Sequence, residues 1–412
     1  MAATSHHTRR PLWLRMVGRD PREPHRAATP LELLFDLCFV VAVAQAAARL
    51  HHALSEAHAG TGVLGYAMVF FAIWWAWMNF TWFASAYDTD DVVYRLLILM
   101  QILGVLILAA GVPRAFEERD FGLVTLGYAV MRVALIALWV RAACEHPEGR
   151  RCALRYAIGI SVVQVGWILR LTLPEQIGFF AFFVLVAAEL AVPVFAERAR
   201  QTTWHPHHIA ERYGLFAIIV LGESILAATL AIQSGLDRGI ATAALLSVAF
   251  SGAVIVFAMW WLYFSQPAHL LLSSNKTAFP WGYGHYFIFS STAALGAGLS
   301  VAVDYDTHEA HIGAFAAGAA VAVPVVVFLA SLWLVHVRPH RPGGLVNGAY
   351  LAGMALVLVT PFTPLPLPLP LPLPLIAVVM ALLAVASQSP WPWRARQPRA
   401  VGGGRQAGAS RG

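Results

Sequence analysis

Apolar runs close to 20 residues long recur along this chain, parted by short polar links. They fall near residues 31–50, 63–85, 96–112, 121–142, 154–173, 177–195, 213–232, 240–264, 281–303, 312–335, 345–362 and 375–391. A helix needs about 20 mostly apolar residues to cross a ~30 Å hydrocarbon core at roughly 1.5 Å rise per residue. Within lipid every backbone polar group must be satisfied internally, and runs of this length achieve that as helices. The pattern predicts an all-α membrane protein with about twelve transmembrane helices. Composition agrees: 59% of the 412 residues are hydrophobic and only 12% are charged, which excludes an ordinary soluble globule. The last run, at about 17 residues, sits at the lower limit for a span.

The net charge of +6 is mostly a matter of topology. With the N-terminus in the cytoplasm, most of the 28 lysines and arginines fall on the cytoplasmic side. Arg49, Arg114, Arg119, Arg170 and Arg238 fall outside, and Arg132 lies within a span. This is the positive-inside bias, so both termini are expected in the cytoplasm. The bias also favours a spanning twelfth run, which keeps the tail arginines inside. Lipid is the expected partner, and nucleic acid is not. The first 28 residues lack the apolar core of a cleavable signal and read as a basic cytoplasmic tail. Cys38 lies in the first span, and Cys144 and Cys152 lie in a cytoplasmic loop, where thiols stay reduced.

The chain also reads as two related halves. Phe71-Ala-Ile-Trp-Trp75 recurs as Phe257-Ala-Met-Trp-Trp261, Leu103-Gly104 as Leu295-Gly296, and Leu138-Trp139 as Leu332-Trp333. The matches keep their order and lie six spans apart. An even number of spans gives both halves the same orientation, so the expectation is two parallel six-helix repeats. The boundaries are 1–28 for the tail, 29–199 and 200–388 for the repeats, and 389–412 for a disordered cytoplasmic tail. Gly104, Gly127, Gly252, Gly296, Gly298, Gly313 and Gly318 suit close helix approach. Pro364 to Pro374 alternates with leucine and reads as polyproline II on the outer face.

Intramembrane polar groups are costly and mark function or pairing. Glu223 sits near the middle of the seventh run and is the leading candidate for a proton or cation relay, or for a buried carboxyl bonded to a neighbouring helix. Aligning the first and seventh runs pairs Gln45 with Glu223 at matching depth, a possible centre between the halves. Glu32 and Asp36, four residues apart, share a face of the first span. Glu32 suits the helix N-terminus, and Asp36 lies a turn deeper. Glu211 and Arg212 read as an interfacial pair, and Ser224 as a hydroxyl bonding its own helix. Asp91 stands four residues before Arg95, as an ion pair would. Asn79 lies in an aromatic stretch that is either packing or a cation-binding wall. Arg132 and Glu189 are placed to pair within the first half. His205, His207 and His208 look like a metal cluster but lack a cysteine partner, so titration near neutral pH is the better reading.

No nucleophile elbow, phosphate loop, HExxH or CxxC motif is present, and no cofactor or metal is expected. The segments Thr29-Pro-Leu-Glu-Leu-Leu-Phe-Asp-Leu-Cys-Phe-Val-Val-Ala-Val-Ala-Gln45 and His208-x-x-Glu-Arg-Tyr-Gly-Leu-Phe-x-Ile-Ile-Val-Leu-Gly-Glu-Ser-Ile-Leu226 resemble the signatures of the bacterial low-temperature-requirement protein A family. The resemblance covers about residues 26–388. Cys38 stands where that family usually has valine. It implies a polytopic protein of the bacterial inner membrane and supplies no substrate or catalytic residue. The favoured reading is a transporter or channel-like permease for a small solute or ion. Its expected pathway lies between the halves, lined by Gln45, Asn79, Glu223 and Asp36, with Glu32, Glu211, Arg212, His208 and Ser224 as further candidates. The alternatives are a membrane-embedded enzyme acting on lipid, and a non-catalytic protein supporting growth in the cold.

Overall fold

The computed structural model describes residues 11–21, 23, 27–237, 242–363 and 372–387. Most of the proline–leucine run, most of the basic tail and the end of the chain from residue 388 lie outside these residues. The described chain is all helix: α1 (Pro30–Ser55), α2 (Ala59–Ala86), α3 (Val92–Glu117), α4 (Gly122–Glu145), α5 (Arg150–Arg170), α6 (Glu175–Glu197), α7 (Pro206–Asp237), α8 (Thr242–Phe264), α9 (Asn275–Asp306), α10 (Ala314–Leu332), α11 (Gly344–Val359) and α12 (Leu373–Ala386). Eleven of the helical segments are long and apolar enough to cross a membrane. The twelfth differs from expectation: α12 has 14 residues, about 21 Å at 1.5 Å per residue, and falls short of a ~30 Å core. Proline at its first turn suits a helix start and explains why the helix begins only where the proline–leucine run ends.

The outer surface is apolar. Ile158, Val162, Phe180, Val184, Phe250 and Phe257 are more than half exposed. Contiguous exposure on this scale marks a lipid-facing surface. With the run of apolar helices, it makes the chain a multi-pass membrane protein.

Odd-numbered helices begin, and even-numbered helices end, on one face, the near face. There the start of α3 meets the end of α4 through Asp91 and Arg141. On the opposite, far face the end of α1 meets the ends of α3 and α9, through Arg49 with Glu117 and through Ser55 and His51 with Asp304 at 2.9 and 2.6 Å. In the first half α1 packs on α2 and α3, and α3, α4, α5 and α6 follow in series. In the second half α7 packs on α8 and α9, and α9 to α12 follow in series. The halves join where α1 and α2 meet α7 and α9.

The neighbours differ most in one place. α8 packs along α12. α2 and α6 meet through long side chains, Phe71 edge-on to Phe182 and the Trp75 indole reaching Glu189.

Small residues set the tight crossings. A Cβ on Gly104 would lie 2.7 Å from the Gly127 carbonyl, and one on Gly298 would lie 2.1 Å from the Ala320 carbonyl. The α3–α4 and α9–α10 pairs thus depend on bare backbone, as lipid-embedded helices often do. Gly313 departs from expectation: it precedes α10, with nothing within 4 Å of where a Cβ would be.

Candidate functional site

Two buried polar centres organise the bundle. The first lies between α1 and α7. Thr29 caps α1 in a reciprocal box: its hydroxyl accepts from the Glu32 N–H at 3.3 Å, and Glu32 accepts from the Thr29 N–H at 2.7 Å. One turn deeper, Asp36 accepts from the Trp77 indole at 2.7 Å and from Arg212 Nε at 3.0 Å. Arg212 Nη1 and His208 Nε2 lie 3.0 and 3.1 Å from Glu32 Oε1. The i, i+4 spacing of Glu32/Asp36 and of His208/Arg212 turns both pairs toward each other. All four are buried.

The expected rim pair of Glu211 with Arg212 does not form. Neighbouring helical positions point about 100° apart, so Arg212 turns into the bundle, while Glu211 Oε1 accepts from the Ala28 N–H at 3.4 Å.

The second centre lies wholly in the first half, and here the expected pairing of Arg132 with Glu189 holds, Nη2 to Oε2 at 2.8 Å. Glu189 is fixed by two indoles, Trp75 at 2.7 Å and Trp167 at 3.0 Å. Arg132 also donates to the Tyr128 hydroxyl at 2.8 Å, and reaches Asn79 Oδ1 at 3.5 Å. Asn79 Nδ2 donates back to the Trp75 carbonyl at 2.6 Å. Both ions of the pair are buried, and a buried pair is sustained only when its remaining donors and acceptors are also met. The indoles and the phenol meet them here.

A cavity adjoins this pair on each side. The near-face cavity is lined by Asn79, Trp82, Trp139, Tyr156, Glu197, Thr202, Trp204, Asn275 and Tyr283, among others. The far-face cavity is lined by Phe71, Phe121, Tyr128, Trp167, Arg170 and Phe182, among others. Each has about 30 Å³ open to the centre of a water molecule, room for about two waters. Asn79 belongs to both the pair and the near cavity. Tyr128 and Trp167 belong to both the pair and the far cavity. A larger, wide-open groove runs between α2, α6 and α9, lined by apolar and aromatic side chains such as Leu64, Phe183 and Phe287.

The other predicted residues lie elsewhere. Gln45 and Glu223 are each half-buried, and no side-chain hydrogen bond joins either to another described residue. The single Ser224 hydroxyl proton is shared between the Val220 carbonyl of its own helix at 3.1 Å and the Thr292 carbonyl of α9 at 2.8 Å. The expected Asp91–Arg95 pair is replaced. Asp91 caps α3 through the Tyr94 N–H at 2.8 Å and pairs with Arg141, while Arg95 takes Asp90 at 2.7 Å. As the capping residue, Asp91 turns its side chain back onto the helix end, away from position i+4.

The three histidines at the N-terminal end of α7 do not converge. His205 bonds the Glu23 carbonyl at 3.0 Å, His207 stacks on His269 at 3.9 Å, and His208 faces Glu32. Among the described residues no three His, Cys, Asp or Glu side chains form a metal cluster.

Sequence reading missed Glu197, Trp204 and Asn275 of the near cavity. It also missed the anchoring of residues 11–19, where the N–H groups of Leu14 and Met16 donate to Asp91 and Glu145. The available signal was Glu197 closing an apolar helix with no base three or four residues before it.

A profile of the family described as "Bacterial low temperature requirement A protein (LtrA)" matches residues 27–386. An uncharacterized protein of Rhizobium meliloti (strain 1021) is 28% identical over 368 residues, covering 85% of this chain and 86% of the relative. No solved structure matches.

Proposed function

The chain belongs to the bacterial low temperature requirement A (LtrA) family, and on that premise we propose that it is a permease whose pathway runs through the first six-helix half. The observation that carries this reading is the Arg132–Glu189 pair with a cavity on each side. Paired charges deep in a membrane protein mark substrate or ion pathways. A pair that closes the space between two cavities on opposite sides acts as a gate: a solute in either cavity must part the ions to pass.

Glu189 is the fixed member, held by two indoles, and Arg132 is the movable one on its longer stem. The pathway foreseen between the halves shifts by one helix layer. Of its foreseen residues, Asn79 lines the near cavity. Asp36, Glu32, His208 and Arg212 form the clamp between the halves. Glu223, Gln45, Glu211 and Ser224 stand apart from the gate.

The two-repeat reading is supported by the shared order of neighbours in the halves. In that reading α2 and α6 correspond to α8 and α12. The close α8–α12 packing seals the second half, and the looser α2–α6 contact leaves the cavities of the first. The near face is assigned to the cytoplasm, with both termini on the cytoplasmic side of the bacterial inner membrane, on the charge bias of the loops.

Reconstitution tests the reading. Shrinkage and reswelling of proteoliposomes in sodium, potassium and methylammonium chloride and in glycerol should outpace protein-free vesicles for at least one solute. Glu189→Gln and Arg132→Met should change that rate at least about tenfold, as expected when about 1.4 kcal/mol is taken from a barrier-controlling contact. Wild-type vesicles that behave as protein-free ones reject the permease.

A further inference from the structure

The near cavity has an electrostatic character that narrows what it accepts. Aromatic side chains dominate its walls: Trp82 and Trp204 meet edge to face at 5.1 Å, and Trp139 stacks on Tyr156 at 4.1 Å. The polar groups of the lining spend their protons on the protein. Trp82 Nε1 donates to Tyr213 at 3.0 Å, and Trp204 Nε1 to Asn275 Oδ1 at 3.1 Å. Tyr283 donates to the Leu190 carbonyl at 3.1 Å. Tyr156 and the Thr202 hydroxyl both donate to Glu197 Oε1, at 3.0 and 2.7 Å, while the Thr202 N–H and Asn275 Nδ2 donate to Oε2, at 2.8 and 3.0 Å.

Glu197 is therefore held by four neutral donors, and among the described residues no arginine or lysine pairs with it. The C-terminus of α6 and the N-terminus of α9 both end at this cavity, and their opposite partial charges offset. What remains is a carboxylate whose four acceptor sites are filled by neutral donors, so its charge is offset by no described base, among aromatic side chains. Ring faces and a carboxylate attract a cation. An anion finds few free donors. The free space, room for about two waters, suits a cation of ammonium size.

The gate agrees with this by an independent route. Glu189 is pinned by Trp75 and Trp167 and accepts charge-assisted bonds, so a cation is the solute that can take the place of Arg132 on it.

We propose that the cavity bounded by α2, α4, α5, α6 and α9 is a binding site for a small monovalent cation of the ammonium type, such as ammonium or methylammonium, with Glu197 as its counter-ion and Trp82 and Trp204 as its aromatic walls. Its role as the transported substrate rests on the permease reading; the occupancy of the cavity does not.

The test uses the purified full chain in detergent, titrated with methylammonium chloride while tryptophan fluorescence and heat are recorded. Sodium chloride and sodium methanesulfonate at equal ionic strength are the controls. A saturable response to methylammonium alone is expected. Glu197→Gln and Trp204→Leu should each weaken it about tenfold, whereas Trp204→Phe, which keeps a ring face, should stay within about threefold. Thermal melts identify folded variants, and the Leu/Phe comparison at Trp204 decides the matter if Glu197→Gln does not fold. An absent wild-type response, an equal response to the sodium salts, or wild-type affinity in folded Trp204→Leu overturns the site. Saturable binding without flux in vesicles keeps the site and removes the permease. Flux of another solute without methylammonium binding removes the site and keeps the permease.

Discussion

At the scale of single residues, the buried charges are the parts with the least tolerance. Removing one partner of a buried pair strands the other, typically at about 3–5 kcal/mol. Arg212→Met and Asp36→Asn should each lower the thermal midpoint of the detergent-solubilised protein sharply, and the double variant should recover part of the loss. Equal midpoints in wild type and single variants would count against the clamp.

Asp91 allows a pH test at the near face. Burial drives its carboxyl upward, but Arg141 and the N–H groups of Tyr94 and Leu14 outweigh that and hold it below the usual 3.8. A lowered pKa means its contribution is complete above about pH 4 and is lost as pH falls through the folded-state value. The stability difference between wild type and Asp91→Asn should be flat from pH 8 to 5 and shrink only below about pH 4. A difference that changes between pH 8 and 6 would point to another group.

Glu223, the first candidate by sequence, gives a sharper choice. With the pathway in the first half, Glu223→Gln should leave flux and its pH profile unchanged, and an altered profile would return Glu223 to the pathway. The sequence revealed that Glu223 is costly in lipid. It could not reveal which way the residue faces, because rotation about a helix axis is set by neighbours and not by the run itself.

At the scale of elements, hydropathy located the helices well because the membrane imposes both length and composition. It missed ends governed by capping and by bare-backbone contacts. Expecting the seventh span to begin at Tyr213 placed Arg212 at a rim. The helix begins at Pro206, and those added two turns, roughly, carry His208 and Arg212 inward. Glycine spacing foretold the α3–α4 crossing and misjudged Gly313, since sequence does not tell a packing glycine from one before a helix. Gly298→Ala should therefore cost about 1–3 kcal/mol by forcing α9 from α10. Gly313→Ala, with nothing within 4 Å, should be close to neutral. Matched melts of the two variants check this, and equal midpoints would overturn the close α9–α10 contact.

At the scale of the molecule, the membrane-spanning character was legible in the sequence, while the cavities beside the Arg132–Glu189 pair were not. Trp74 and Trp75 are buried, whereas Trp260 and Trp261, which end the similar five-residue stretch, are about half exposed. Like sequences thus take unlike surroundings, which sequence matching does not show. Orientation is open to chemistry. Cys144 is exposed, and Cys152 is buried. A membrane-impermeant maleimide should label Cys144 in inside-out vesicles and not in intact cells. Labelling in intact cells would invert the assignment of the near face.

The clamp between the halves also bears on how the protein is made. Asp36 and Arg212 are 176 residues apart in the chain. Ribosomes add about 5–20 residues per second, so the carboxylates of α1 wait about 10–35 s for their cation. Throughout that interval α1 must rest in lipid as an acid without its base, with the Trp77 indole as the donor that arrives early. The carboxylates of α1 are in consequence completed late, and the arrival of α7 is the step that closes the clamp.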